Sequence, residues 1–255
     1  MAAREARRKE REEQHLYLGV KAVTEETFRN HNGTDLTNFD PQVEQEPAAP
    51  QFFRMLRTAT MQDLVNTIAE SIGQDPNRVR LWIMVNRQNK TIRPDQPVMD
   101  LRPTIEEAYA RAAAHRDLAL RVWVEVTEEA NADGSAIWPT YQGQPNGVVV
   151  KNDLILLFLK WFDVESQTLK GLGHVYIGKE KKVEDLLPVI MKKMGWGEKL
   201  PSDEKIQLLE VRIPTCSCSR TVASAELTRC LGNQTQHDRG SQGQADTQGS
   251  GAPGW

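Results

Sequence analysis

The chain has 255 residues, enough for one large domain or two small ones. With 39% hydrophobic residues, 26% charged residues and a net charge of −3, it has the balance of an ordinary soluble protein, and Lys and Arg do not cluster into a nucleic-acid footprint. The longest apolar run, Leu154–Leu159, is too short to span a bilayer, and the charged start MAAREARRKEREEQ lacks the apolar core of a secretory signal.

Residues 1–14 interleave Glu and Arg with Ala and read as a solvated connecting helix. HLYLGVKAV (15–23) alternates apolar and polar residues like a half-buried strand. A long, mobile hairpin loop is expected next, carrying Asn32-Gly33 and QVEQEPAAP, before a second strand in QFFRMLRTA. Thr60 caps a predicted helix over MQDLVNTIAESIG, with Asp63 placed for a capping box and Leu64, Val65, Ile68 and Ile72 on one stripe. VRLWIMV is a third strand, NRQNKTIRPDQPV a polar loop, IEEAYARAAA a short helix and ALRVWVEV the closing strand.

A second unit follows the linker around TYQGQPNG. DLILLFLKWFD is apolar enough to be a strand buried on both faces. GLGHVYIG is its partner, VEDLLPVIMKKMG a helix and KIQLLEV another strand. Pro188 places a bend just beyond the first turn of that helix, which is expected to begin near Val183 or Glu184. The two helices align without gaps: Asp63 with Asp185, Leu64 with Leu186, Ile68 with Ile190, Ile72 with Met194 and Gly73 with Gly195. Strand, strand, helix, strand thus occurs twice, the mark of two copies of one fold. The boundaries are a first unit at 15–128, a linker at 129–150, a shortened second unit at 151–213 and a divergent tail at 214–255. That tail, rich in Gln, Gly and Ser, is expected to be disordered because it has little apolar surface to offset its chain entropy.

Candidate chemistry is sparse. Cys216, Cys218 and Cys230 are the chain's cysteines; their place in the tail fits a reducing compartment, cytosol or nucleus. A thiol nucleophile needs an oriented base, and a zinc site needs finger-like spacing; with only His237 nearby, the tail cysteines read as inert rather than as nucleophile or zinc ligands. His174 reads as structural on its strand, and His15 and His115 lack partners at useful spacing. Trp82, Trp123 and Trp161 fall in strands, where core packing is the default; one left half-exposed on a sheet face would suit a partner anchor. GLGH and GWGE lack the strand-to-helix context and the Lys of a phosphate loop. No catalytic, cofactor or metal residue is assigned, no cofactor is expected, and partner-binding residues stay unknown.

REEQHLYL, RVRLWIMVNRQNKTIRPDQP, NDLILLFLKWFD, GHVYI and VEDLLPVIMKKMGW, in that order, resemble the segment that follows the catalytic domain in the herpesvirus-associated ubiquitin-specific protease family and its fungal members. The resemblance covers roughly residues 7–213. It implies an α+β fold of tandem ubiquitin-like β-grasp domains, in the region that binds a herpesvirus infected-cell protein. It further implies a non-catalytic docking and regulatory module of a cysteine-type deubiquitinase in ubiquitin-dependent turnover, the family's catalytic cysteine and histidine boxes being absent here. Expected partners are proteins (ubiquitin ligases or deubiquitinase substrates), with no nucleic acid and no membrane, in nucleus and cytoplasm. The family's pattern is expected to stop after LLEVRIP, with the acidic turn and final strand of the second domain lost. An altered reading frame, a retained intron or a mis-spliced gene model would each produce that change. A stand-alone ubiquitin-like adaptor is the other reading. A conjugable modifier is disfavoured, because conjugation uses a terminal Gly-Gly and this chain ends in Pro-Gly-Trp.

Overall fold

The computed structural model describes residues 13–41, 46–87, 91–112, 118–143, 149–150, 153–196, 205–210 and 225–230. Among them the chain is α+β, as the patterning predicts, with two principal sheets. The first is built from β1 (Tyr17–Val23), β2 (Gln51–Leu56), β3 (Val79–Asn86), β4 (Ile92–Pro97) and β5 (Ala119–Val126), in the order β2-β1-β5-β3-β4. β1 runs antiparallel to β2 and parallel to β5, and β3 runs antiparallel to β4 and β5.

One face of this sheet is aliphatic. Leu18, Val20, Val79, Leu81, Leu120, Val122 and Val124 meet Met61, Leu64, Val65 and Ile68 from the helix Met61–Ser71 and Ile105 from the helix Ile105–Arg111. Numbering the helices α1 (Glu25–Asn30), α2 (Met61–Ser71) and α3 (Ile105–Arg111), both α2 and α3 begin with reciprocal capping boxes, Thr60 with Asp63 and Thr104 with Glu107. Each box satisfies orphan amides of the first turn and fixes where the helix enters the sheet.

A minor pair, β6 (Gln142–Gly143) with β7 (Val149–Val150), lies in the linker. The second principal sheet contains β8 (Leu154–Asp163), β9 (Thr168–Gly178), β10 (Lys205–Glu210) and β11 (Ala225–Cys230), in the order β10-β11-β8-β9. β8 runs antiparallel to β9 and parallel to β11, which is antiparallel to β10. Read from β9, this repeats the first four positions and directions of the first sheet. The predicted two-sided burial of β8 holds: Leu157 and Leu159 pack on Leu186 and Ile190, while Phe158 enters a cluster shared with the first unit.

The aligned helix pair is carried into three dimensions. Ile68 and Ile190 are both fully buried. Gly73 and Gly195 adopt φ of 65° and 69°, the left-handed turn that ends a helix and that glycine enters at least cost.

Four expectations need correction. The segment after β1, read as a mobile hairpin loop, contains α1, capped by Thr24 through its hydroxyl and the Thr27 amide. The polar loop after β3 contains β4, whose Pro94 and Pro97 are tolerated because the strand lies at the sheet edge. Pro188 lies in the first turn of α4 (Leu187–Lys193), and the expected bend takes the form of a preceding 3-10 turn, Val183–Leu186. Finally, Ala225–Cys230 of the expected disordered tail pairs with β10 and β8, so the second unit does not end at residue 213. A short strand joined by non-local backbone pairing leaves little local signal, here hidden further by its Gly-, Ser- and Gln-rich surroundings. The remainder of 214–255 lies outside the described residues, as does the charged helix expected over 1–14 apart from Glu13 and Gln14.

Candidate functional site

The richest constellation of polar and aromatic side chains lies where the second sheet meets the face of the first opposite α2 and α3. Strand alternation delivers it. On β5, Arg121, Trp123 and Glu125 face opposite to Leu120, Val122 and Val124; on β3, Arg80, Trp82 and Met84 face opposite to Val79, Leu81 and Ile83. The register sets Trp82 against Trp123 and Arg80 against Glu125.

Glu125, 2% exposed, is the hub. Its Oε2 accepts from Arg80 Nε at 3.0 Å, Arg80 Nη2 at 2.8 Å and Trp82 Nε1 at 2.6 Å, and its Oε1 accepts from the Tyr176 hydroxyl of β9 at 2.7 Å. The Arg80 guanidinium donates also to the Thr140 carbonyl at 2.7 Å and lies 4.3 Å from the Trp138 ring centroid. A charge pair withdrawn from water is tolerable only when its lone pairs and protons are met this fully. Burial, then the Glu125 carboxylate, push the Tyr176 phenol above its ordinary value, so the hydroxyl stays protonated and able to donate. One cluster therefore ties the first sheet, the linker and the second sheet together.

Beside it, Trp123 is wholly buried, with Phe158 edge-on at 4.8 Å, His174 at 5.8 Å and Phe28 at 6.3 Å. Its indole Nε1 is buried without a hydrogen-bond partner, a cost of about 1–3 kcal/mol that the surrounding ring contacts must offset. Glu25 of α1 accepts from the His174 amide at 3.3 Å and pairs with His174 Nδ1 at 2.6 Å, with Lys193 of α4 at 3.9 Å and Arg29 at 3.2 Å. Burial alone would raise the Glu25 carboxyl, but the His174 hydrogen bond and the charges of His174, Lys193 and Arg29 carry it below its ordinary value.

The sequence-nominated residues separate cleanly. Trp82, Trp123 and His174 meet at this joint. Trp161 is half-buried on the other side of β8, with Trp196 edge-on at 5.5 Å. His15 is exposed and lends its carbonyl to Arg57 Nε at 3.0 Å. Cys230 ends β11, opposite Lys205 in register. Cys216, Cys218, His115 and His237 lie outside the described residues. Among the described residues no three His, Cys, Asp or Glu side chains gather as metal ligands, and no helix is long and apolar enough to cross a membrane. The residues sequence reasoning missed are Glu125, Arg80, Tyr176, Glu25 and Lys160. A signal for the first two was present: Arg-x-Trp on β3 and Arg-x-Trp-x-Glu on β5 put bulky rings among charges on a face that alternation assigns to solvent.

Two sheets with their helices thus meet through a buried polar and aromatic joint. The comparisons place the chain. A family model, the ICP0-binding domain of Ubiquitin-specific protease 7, matches residues 79–229, and the chain belongs to that family, which is one of deubiquitinases. The match runs past LLEVRIP into β11, so the family's pattern does not stop at residue 213 as expected. Ubiquitin carboxyl-terminal hydrolase 5 of Schizosaccharomyces pombe is 27% identical over 224 residues, covering 88% of this chain and 19% of that protein. Ubiquitin carboxyl-terminal hydrolase 15 of the same yeast is 27% identical over 237 residues, covering 91% and 20%. Ubiquitin C-terminal hydrolase 13 of Arabidopsis thaliana is 25% identical over 209 residues, covering 81% and 17%. The chain thus spans about one fifth of the length of the curated relatives it matches.

Proposed function

We propose that the chain is a non-catalytic, partner-docking and regulatory module of a cysteine-type deubiquitinase, built from two ubiquitin-like domains. The observation that carries this reading is the reach of the family match. It begins at Val79, the first residue of β3, and ends at Arg229 in β11, taking in strands of both units and the Arg80–Glu125–Tyr176 joint between them. The repeated strand order supports two copies of the ubiquitin-like arrangement. The matched domain is named for binding ICP0, and binding of protein partners is the role carried over to this chain; ubiquitin ligases and deubiquitinase substrates are the partner classes we favour, in nucleus and cytoplasm. The joint suits such a role, because it fixes the geometry between two docking surfaces instead of leaving them on a free linker.

The test is turnover of a fluorogenic ubiquitin substrate by the purified chain. No release above that of a variant with Cys216, Cys218 and Cys230 replaced by Ser is expected; cysteine-dependent turnover would overturn the reading.

A further inference from the structure

We propose that residues 24–35 form a strap that takes its fold from the second unit, with Lys160 of β8 as the residue that positions it. The segment leaves β1 of the first unit, yet between Glu25 and Asp35 it is anchored repeatedly across the joint. Lys160, 3% exposed, donates from Nζ to the Gly33 carbonyl and to the Asp35 carbonyl at 2.6 Å, with its ammonium 5.2 Å from the Phe28 ring centroid. Asn32 and Gly33 extend the edge of β9: the Leu169 amide donates to Asn32 Oδ1 at 2.6 Å and the Gly33 amide to the Leu169 carbonyl at 3.0 Å. Glu25 holds the His174 amide and ring, as described. Phe28 packs edge-on to Phe158 at 5.5 Å. A Cβ on Gly171 would fall on the Phe28 carbonyl oxygen, so β9 and α1 touch backbone to backbone.

The strap is tied to its own unit as well, most densely from Asp35 onward: Arg93 of β4 reaches Asp35 Oδ1 at 2.9 Å and the Thr34 carbonyl at 2.8 Å, Lys21 donates to the Phe39 carbonyl at 2.5 Å, and Leu36 and Phe39 pack among Trp82, Met84, Ile92 and Trp123. A six-residue helix is too short to hold by itself in water, so α1 depends on what it packs against. A buried ammonium is tolerated only where its protons are met, and here loop carbonyls of the other unit meet them. Lys160 and the strap therefore require each other.

Amide hydrogen exchange on the whole chain reads this directly. In Lys160→Met, exchange at Phe28, His31 and Gly33 should speed at least tenfold while Val65 and Ile68 of α2 keep their protection. Gly171→Ala, which attacks the same contact from β9 without touching the cation, should loosen the same amides. Unchanged strap protection in both variants overturns the proposal. So does uniform loss across α2 and the strap, because Lys160 would then support the fold at large and not the strap.

Discussion

The two faces of the first sheet are held by different physics. The face under α2 and α3 is aliphatic, assembled from strands and helices within residues 18–124, and stabilised at roughly 25 cal/mol for each Å² withdrawn from water. The opposite face is aromatic and ionic, and its partners arrive from Phe158, His174 and Tyr176 in the other unit. Burial of the first kind tolerates adjustment, since aliphatic side chains repack. Burial of the second kind is conditional on each partner being in place, because an orphaned charge in that setting is expensive. The first face seats the helices on one sheet; the second joins two sheets.

That contrast can be broken hardest at Glu125. Glu125→Leu leaves Arg80, Trp82 and Tyr176 donors facing an apolar side chain, and a loss of about 3–5 kcal/mol in chemical denaturation is expected. A loss under 1 kcal/mol would mean the ionic face stabilises no more than a surface pair. Tyr176→Phe is the finer cut, removing one hydroxyl donated across the joint to a charged acceptor. It should cost about 1.5–3 kcal/mol and destabilise the second sheet along with the first. If only one unit responds, the two are coupled more weakly than their shared carboxylate implies.

The smallest effect concerns acid. Burial, then the Lys160 ammonium, lower His31 from 6.5 to about 4. The unfolded chain then takes up that proton near pH 6.5 and the folded chain only near pH 4. Stability from this source is thus complete above about pH 6.5, falls as the pH drops toward 4, and falls no further below it. About 1–2 kcal/mol is expected, since the ring is only half-buried. In His31→Gln the slope of stability against pH between 6.5 and 4 should flatten; an unchanged slope would assign the acid sensitivity of that window to other groups.

Legibility in the sequence follows the same divide. The aliphatic face was readable: Leu64, Val65 and Ile68 declare a helix stripe, Thr60 and Asp63 its start, and Gly73 its end, all within one short window. The internal match of that window to Asp185, Leu186, Ile190 and Gly195 made the second unit readable too. The joint was not, because Arg80 and Glu125 are 45 residues apart and Glu125 and Tyr176 are 51 apart. No local period reports such a pairing, and Trp82 and Trp123 were rightly assigned to packing without showing what they pack against. β4 was obscured by its prolines, and β11 by relying on backbone pairing with strands far upstream.

The position of β11 has a consequence for how the chain is made. The first sheet has all its strands once Val126 has left the ribosome, and its central parallel pair, β1 with β5, can form then. The hairpin of β8 and β9, with the surface that meets the first unit, follows by Gly178. The strand that lies between β8 and β10 arrives only at residues 225–230, so the second sheet's central pairing is the last to be completed. Until then β8 has an unpaired edge on its inner side, while the first unit, already complete, can cover one of its faces. The joint gives the late half an early partner surface outside its own hairpin, before its sheet can close.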